Sequence, residues 1–228
     1  MPAPAGKLAK TSAFPRAVER WRGIVRSELE RGNYPWPAEL ILALIHTESA
    51  GVAGAVNQAS GASGLMQVMP IVVKGFNRKY GTNLTMDTMR AKTPEAVRLQ
   101  IRIGLNALAN FWRNAYVELG RRAEIPVSDL ARIADLWYVA GGRYAKRALR
   151  RSPAPTWTAI AAANPGRAVT HAETVWERTH RAVPIWDYAA IDAFLGKKYR
   201  PARSGFLAGL ILIGLASRFL PKTERTIK

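Results

Sequence analysis

The chain has 228 residues, no cysteine, and 34 Lys and Arg against 16 Asp and Glu, a formal charge of +18. That length suits one globular domain with short appendages, and an apolar fraction of 48% excludes wholesale disorder. Without cysteine there is no disulfide, thiolate metal site or cysteine nucleophile, and the basic excess favours polyanionic partners such as nucleic acid, anionic lipid or wall polymer.

Residues 1–13 read as a flexible arm, and their lack of an apolar core argues against a secretory signal. Pro15 suits a first helical turn, after which Trp21, Ile24, Val25 and Leu29 recur at helical spacing up to Gly32. Tyr34-Pro35-Trp36-Pro37 is a turn. A very apolar helix follows from Ala38 through Ile45 and ends near Ala50, which predicts burial on most sides. Residues 51–63, rich in Gly, Ala, Ser and Asn, read as a loop or small hairpin, and helix resumes after Pro70 up to Tyr80. The longest helical pattern covers about 94–119, with Val97, Ile101, Leu105, Leu108 and Trp112 on one face. Further helices are expected at 128–140, 143–151, 170–181 and 184–195. Strand signals are weak throughout, so the fold class is mainly α.

The last segment differs. Gly205 to Ala216 carries no polar side chain, with Lys197, Lys198, Arg200 and Arg203 before it and Arg218 and Lys222 after it. Spanning a bilayer core takes roughly 20 apolar residues, so this run is too short for a standard crossing. It can dock as an apolar helix on the domain or a partner, or enter a membrane interface. The basic flanks and the Gly205-x-x-x-Gly209 spacing suit the second.

Among residues with chemistry, Glu48 stands first. It lies on the helix face of Ile41, Leu44 and Ile45. Burying an unpaired carboxylate is costly, so desolvation favours the protonated form, as a general acid at neutral pH requires. A solvated Glu48 at the helix end is the plain alternative. Thr47-Glu48-Ser49 is followed by Ser60-Gly61-Ala62-Ser63-Gly64-Leu65-Met66-Gln67-Val68-Met69-Pro70. That order resembles the soluble lytic transglycosylases, lysozyme-like enzymes with a Glu-Ser helix end and then a Gly-Ala-x-Gly-Leu-Met-Gln-x-x-Pro segment. Pro94, Glu95, Gln100, Ile101, Gly104 and Leu108 are similar to the family's next helix, and Tyr138-Val139-Ala140-Gly141 to its Tyr-Asn-Ala-Gly segment. The resemblance covers about residues 36–145.

The resemblance implies a lysozyme-like catalytic domain, here about 14–200, followed by the basic-flanked apolar tail at 204–228. It implies Glu48 as catalytic acid and base, and Gln67, Tyr138 and Ser60 as substrate contacts, with Met66 lining the sugar cleft. The loop before Gly61 carries one extra residue, which weakens the match at Ser60. Two positions depart from the family: Val139 stands for the usual Asn after the tyrosine, and Gln100 for the usual Asn of the long helix. No cofactor or metal is implied.

Two-carboxylate glycosidases need a partner about 5–10 Å from the acid. Only Glu48 holds a signature position, but a substrate N-acetyl group can stabilise the oxocarbenium ion instead. The expected reaction is then cleavage between MurNAc and GlcNAc, with the C6 hydroxyl closing onto C1 as a 1,6-anhydro ring. A hydrolase with an unrecognised second carboxylate and a non-catalytic lysozyme-like module are the alternatives.

Asp135 could share the face of Tyr138, but a solvated or capping role is expected of it. His46, His171 and His180 show no metal-ligand spacing, and Glu173, Glu177 and His180 read as a solvated face. Arg143, Lys146, Arg147, Arg150 and Arg151 form one stripe with no carboxylate between Asp135 and Glu173, which suggests contact with anionic glycan, DNA or lipid head groups. A wall-cutting chain without a signal, basic and with an apolar tail, points to a bacteriophage virion protein that acts in the periplasm beside other tail or core proteins. A bacterial envelope secretion system is the alternative setting.

Overall fold

The computed structural model describes residues 13–119, 126–183 and 186–195. The arm (apart from Ala13) and the apolar run at 205–216 lie outside the described residues. Ten helices appear among those described: α1 (Arg16–Glu19), α2 (Arg22–Arg31), α3 (Ala38–Ser49), α4 (Pro70–Tyr80), α5 (Met86–Arg90), α6 (Pro94–Glu118), α7 (Val127–Arg151), α8 (Trp157–Ala163), α9 (Arg167–Ala182) and α10 (Tyr188–Leu195). Two isolated antiparallel bridges, Val56 to Ser63 and Ser63 to Val68, are the extended pairing present among them. None of these helices is long and apolar enough to cross a membrane.

The apolar sequence of α3 makes it the centre of the molecule. Ala38 and every residue from Leu40 to Ile45 are buried, and α2, α9 and α1 pack around it. The apolar stripe of α6 is buried as its spacing predicts, from Val97 to Trp112. A Thr93 side chain caps its first turn and Pro94 follows, a pairing that leaves fewer backbone donors unmet. The two helices expected at 128–140 and 143–151 meet in α7, which bends where Gly141 takes φ 78. Packing of α7 against α6 and α9, and of α9 against α3, closes the bundle over the end of α3. Two short helices, α5 and α8, were not legible as periodic segments, since so few residues show no repeat.

The C-terminal end of α3 is fixed from three directions. Ala50 turns left-handed at φ 51. The next carbonyl, of Gly51, accepts bonds from the Trp21 indole (2.9 Å) and the Arg20 guanidinium (3.1 Å). A Cβ on Gly51 would come within 2.3 Å of the Ala17 carbonyl oxygen, so glycine is required for that approach. On the third side the Ser49 hydroxyl donates to the Leu65 carbonyl (2.8 Å), tying the helix end to the loop.

Glu28 of α2 is a charged group that composition gave no reason to single out. Its side chain is 2% exposed and meets Arg102 of α6 at 3.0 Å and Arg31 at 2.9 Å. Burial pushes its carboxyl up, but the bonds from the two guanidinium groups outweigh that and hold it below the usual carboxylate range. The bridge to Arg102 anchors α2 to α6, while Arg31 pairs with Glu28 within α2.

Candidate functional site

The loop after α3 is held by one buried amide. Gln100 of α6 is fully buried, and its Oε1 accepts from the Leu65 backbone N–H (3.0 Å) while its Nε2 donates to the Ala91 carbonyl (2.8 Å). Gly64 lies against it at φ 82, where a Cβ would stand 2.7 Å from Gln100 Oε1 and from the Met89 carbonyl. Gln100 therefore supports the loop from behind.

The loop's other expected contacts divide. Met66 is corrected: its side chain is fully buried instead of lining a cleft. Gly104 leaves a hollow in α6 that the thioether fills, since a Cβ there would come 2.4 Å from the sulfur. What Met66 offers the site is its backbone carbonyl, which accepts the Tyr138 phenol. Gln67, half-buried, adopts φ 45, rare for a residue with a side chain and often found at functional positions. Its Nε2 donates to the carbonyls of Ala55 (3.2 Å) and Gly64 (3.0 Å). Both amide hydrogens are thus committed, leaving Oε1 as the group free to face a substrate. Ser60 is exposed on the loop, its Oγ accepting from the Ala62 N–H at 3.3 Å.

Glu48 sits on the last turn of α3 with its side chain 16% exposed. From α9, His171 Nε2 stands 3.2 Å from Glu48 Oε1. On the other side of the same ring, His171 Nδ1 lies 2.8 Å from Asp135 Oδ2 of α7. The two contacts differ in quality. The one to Asp135 has hydrogen-bond geometry, whereas Nε2 is sealed from solvent yet not aligned on any acceptor. Burial lowers the proton affinity of His171, but the bond to Asp135, the close approach of Glu48 and the charges of both outweigh it and raise the pKa to about 10. The ring is therefore an imidazolium at neutral pH. Tyr138, one turn beyond Asp135, is held well above a phenol's usual pKa by burial and then by the negative charges of Glu48 and Asp135. Its hydroxyl stays protonated and donates.

Tyr138 thus stands within electrostatic reach of Glu48 and bonds the Met66 backbone, while Ser60 stays on the outer loop. Asp135 is corrected from a solvated or capping residue to a buried one, bonded to His171. Sequence reasoning missed His171. The signal for it was its place on α9, where His171, Val175 and Thr179 follow at four-residue steps and both later residues are buried. Arg178 of the same helix donates to the Thr47 hydroxyl (2.6 Å), a second tie between α9 and the end of α3.

Part of the chain matches a known family. Residues 28–116 match the transglycosylase SLT domain. The match runs from the Glu28 helix through α3, the Gly64–Gln67 loop and nearly all of α6, and the mainly helical fold is lysozyme-like. No curated protein matches the chain in a sequence search. The SLT domain supports an action on peptidoglycan of the lytic transglycosylase type. Asp135, Tyr138 and His171 fall beyond the matched span, so α7 and α9 complete the site from outside it.

A groove of about 560 Å³ between α4 and α6 does not include Glu48. It reaches the site at Phe111, whose ring meets Tyr138 edge-on at 5.9 Å. The groove's other walls include Phe76, the amides Asn106 and Asn110, and the cations Arg78 and Lys79. Among the described residues no group of three or more His, Asp or Glu could hold a metal ion.

The basic stripe is corrected in one member. Lys146 pairs with Glu118 at the end of α6, a carboxylate that lies before Asp135 in the chain. Arg143, Arg147, Arg150 and Arg151 remain exposed. The expected solvated face at 173–180 is also partly occupied, because Glu173 pairs with Arg132 at 3.2 Å and His180 stacks on Trp176.

Proposed function

We propose that the chain is a peptidoglycan lytic transglycosylase that cleaves the MurNAc–GlcNAc β-1,4 bond, with Glu48 as its acid and base. One observation carries this over the hydrolytic reading. The second carboxylate near Glu48, Asp135, is 8% exposed and lies behind the His171 ring, bonded to it. Its Oδ2 is committed to His171 Nδ1, so it is not placed as the free second carboxylate that the two-carboxylate scheme uses.

Glu48 protonates the glycosidic oxygen as the electrons of the C1–O bond pass to that oxygen. The substrate's N-acetyl group stabilises the positive charge left at C1. Glu48, now a carboxylate, takes the proton of the C6 hydroxyl while O6 bonds to C1, closing the 1,6-anhydro ring. Tyr138 and Gln67 orient the sugar and hold the loop, and Phe111 extends the surface toward the α4–α6 groove.

The setting we propose is a bacteriophage particle that opens the wall locally during genome entry. A charge of +18 suits a protein packed beside a polyanion. Detection of the chain in purified virions by mass spectrometry tests that setting separately from the chemistry.

For the chemistry, purified sacculi are digested and the fragments weighed. Anhydro ends support the proposal, reducing ends show a hydrolase, and no cleavage shows a non-catalytic module. Glu48→Gln keeps the shape without the proton and is expected to cost about 10²–10⁴-fold in rate. A folded Glu48→Gln protein within about threefold of the parent removes Glu48 from the role.

A further inference from the structure

Resting on that reading of Glu48, we propose that His171, clamped on its far side by Asp135, is the proton store that keeps Glu48 able to act as an acid at neutral and alkaline pH. An ordinary glutamate titrates near 4.3 and is almost fully ionised at neutral pH. A general acid working at that pH needs a proton held close by. His171 supplies one from the other side of a 3.2 Å gap.

The geometry has the parts a store requires. Asp135 accepts at 2.8 Å from Nδ1, which fixes the ring so that Nε2 faces Glu48. Nε2 is buried and without an aligned acceptor, so its proton is not shared with water or with another protein group. A small turn of the Glu48 carboxyl aligns the pair. Asp135 also raises the proton affinity of the ring, consistent with its pKa of about 10. Other charged groups on the packed helices are engaged elsewhere. On α7, Arg132 pairs with Asp129 and Glu173, and Tyr138 donates to Met66. On α3, His46 is held neutral-leaning by burial and Arg178. On α9, Arg178 bonds Thr47, and Glu177 pairs with Arg181 at the surface.

The proton count balances. Before reaction, Glu48 and His171 share one titrating proton, carried on Nε2 as an ion pair. It passes from Nε2 to the Glu48 carboxylate, giving a neutral acid beside a neutral imidazole whose Nδ1–H still bonds Asp135. Covering the site with glycan excludes water and favours this step, because it removes two opposite charges from a poorly solvated place. The acid then protonates the leaving oxygen, recovers a proton from the C6 hydroxyl and returns it to Nε2. The pair ends with the proton it began with. Its apparent pKa values belong to the pair and not to either residue.

The test is kcat/KM against pH from 5 to 10 on purified glycan strands, for the parent, His171→Gln and Asp135→Asn. The parent is expected to hold its activity well above pH 7. His171→Gln is expected to bring the alkaline limb below pH 7, whatever the height of its plateau, and Asp135→Asn to lower it by a smaller step, toward an ordinary histidine's pH. A limb that stays in place in both variants, or activity scaled down equally at every pH, overturns the proposal and leaves His171 a packing residue. Nitrogen NMR of the imidazole gives a readout independent of turnover. Nε2 of His171 is expected to stay protonated to about pH 9 in the parent and to lose its proton near an ordinary histidine's pH in Asp135→Asn. A parent that cleaves nothing at any pH defeats the reading of Glu48. Loss of the Nε2 proton near pH 6.5 in the parent defeats the store by itself.

Discussion

Replacing Gln100 separates the loop's support from its chemistry. The side chain is fully buried and satisfies two backbone groups, the N–H of Leu65 at 3.0 Å and the carbonyl of Ala91 at 2.8 Å. Gln100→Leu puts an apolar side chain of similar bulk there but leaves the buried Leu65 N–H and the part-buried Ala91 carbonyl without partners. Each unsatisfied group costs about 1–3 kcal/mol, so the variant should lose about 2–6 kcal/mol of stability. The extra apolar burial of leucine offsets about 1 kcal/mol of that. Urea unfolding followed by far-ultraviolet circular dichroism measures the difference, with an unchanged slope showing that the unfolded state has not shifted. Glycan cleavage should fall as well, because Leu65 is adjacent to Met66, whose carbonyl receives Tyr138. A loss below about 1 kcal/mol would mean that the loop finds other partners and that Gln100 does not hold it.

Tyr138→Phe removes the donor to the Met66 carbonyl, a bond worth about 1–3 kcal/mol, and should slow turnover roughly five- to hundredfold while leaving Glu48 in place. Parent-level cleavage of sacculi by that variant would separate the phenol from the reaction. His171 also sets the pH dependence of stability. Its pKa is about 10 in the fold against an ordinary 6.5, so the native state keeps a proton that the unfolded chain releases. The stabilisation is complete below pH 6.5 and is lost as the pH rises toward 10, by up to about 1.4 kcal/mol per unit. Thermal unfolding should therefore show Tm falling between pH 7 and 9 in the parent and falling less in His171→Gln; parallel slopes would contradict the pairing.

The sequence by itself determined the helical class and the machinery that lies close along the chain. The apolar run of α3, the stripe of α6 and the Pro70 and Pro94 starts are local patterns, and local patterns are set by periodicity and by proline's missing N–H. Glu48 and the Gly64–Gln67 segment were legible for the same reason, as short ordered motifs. Only the tertiary structure decided which way their side chains turn. Met66 goes to the core because Gly104, 38 positions later, leaves room for its sulfur. Gln67 spends its amide on the loop because the chain turns left-handed there. Lys146 finds Glu118 across a connection that the interval between charges did not include. His171 and Asp135 are 36 residues apart and meet Glu48 because α9 packs between α3 and α7. A charge relay of that kind leaves no spacing in the sequence: its members are neighbours by helix packing, and nothing along the chain fixes the distance between helices.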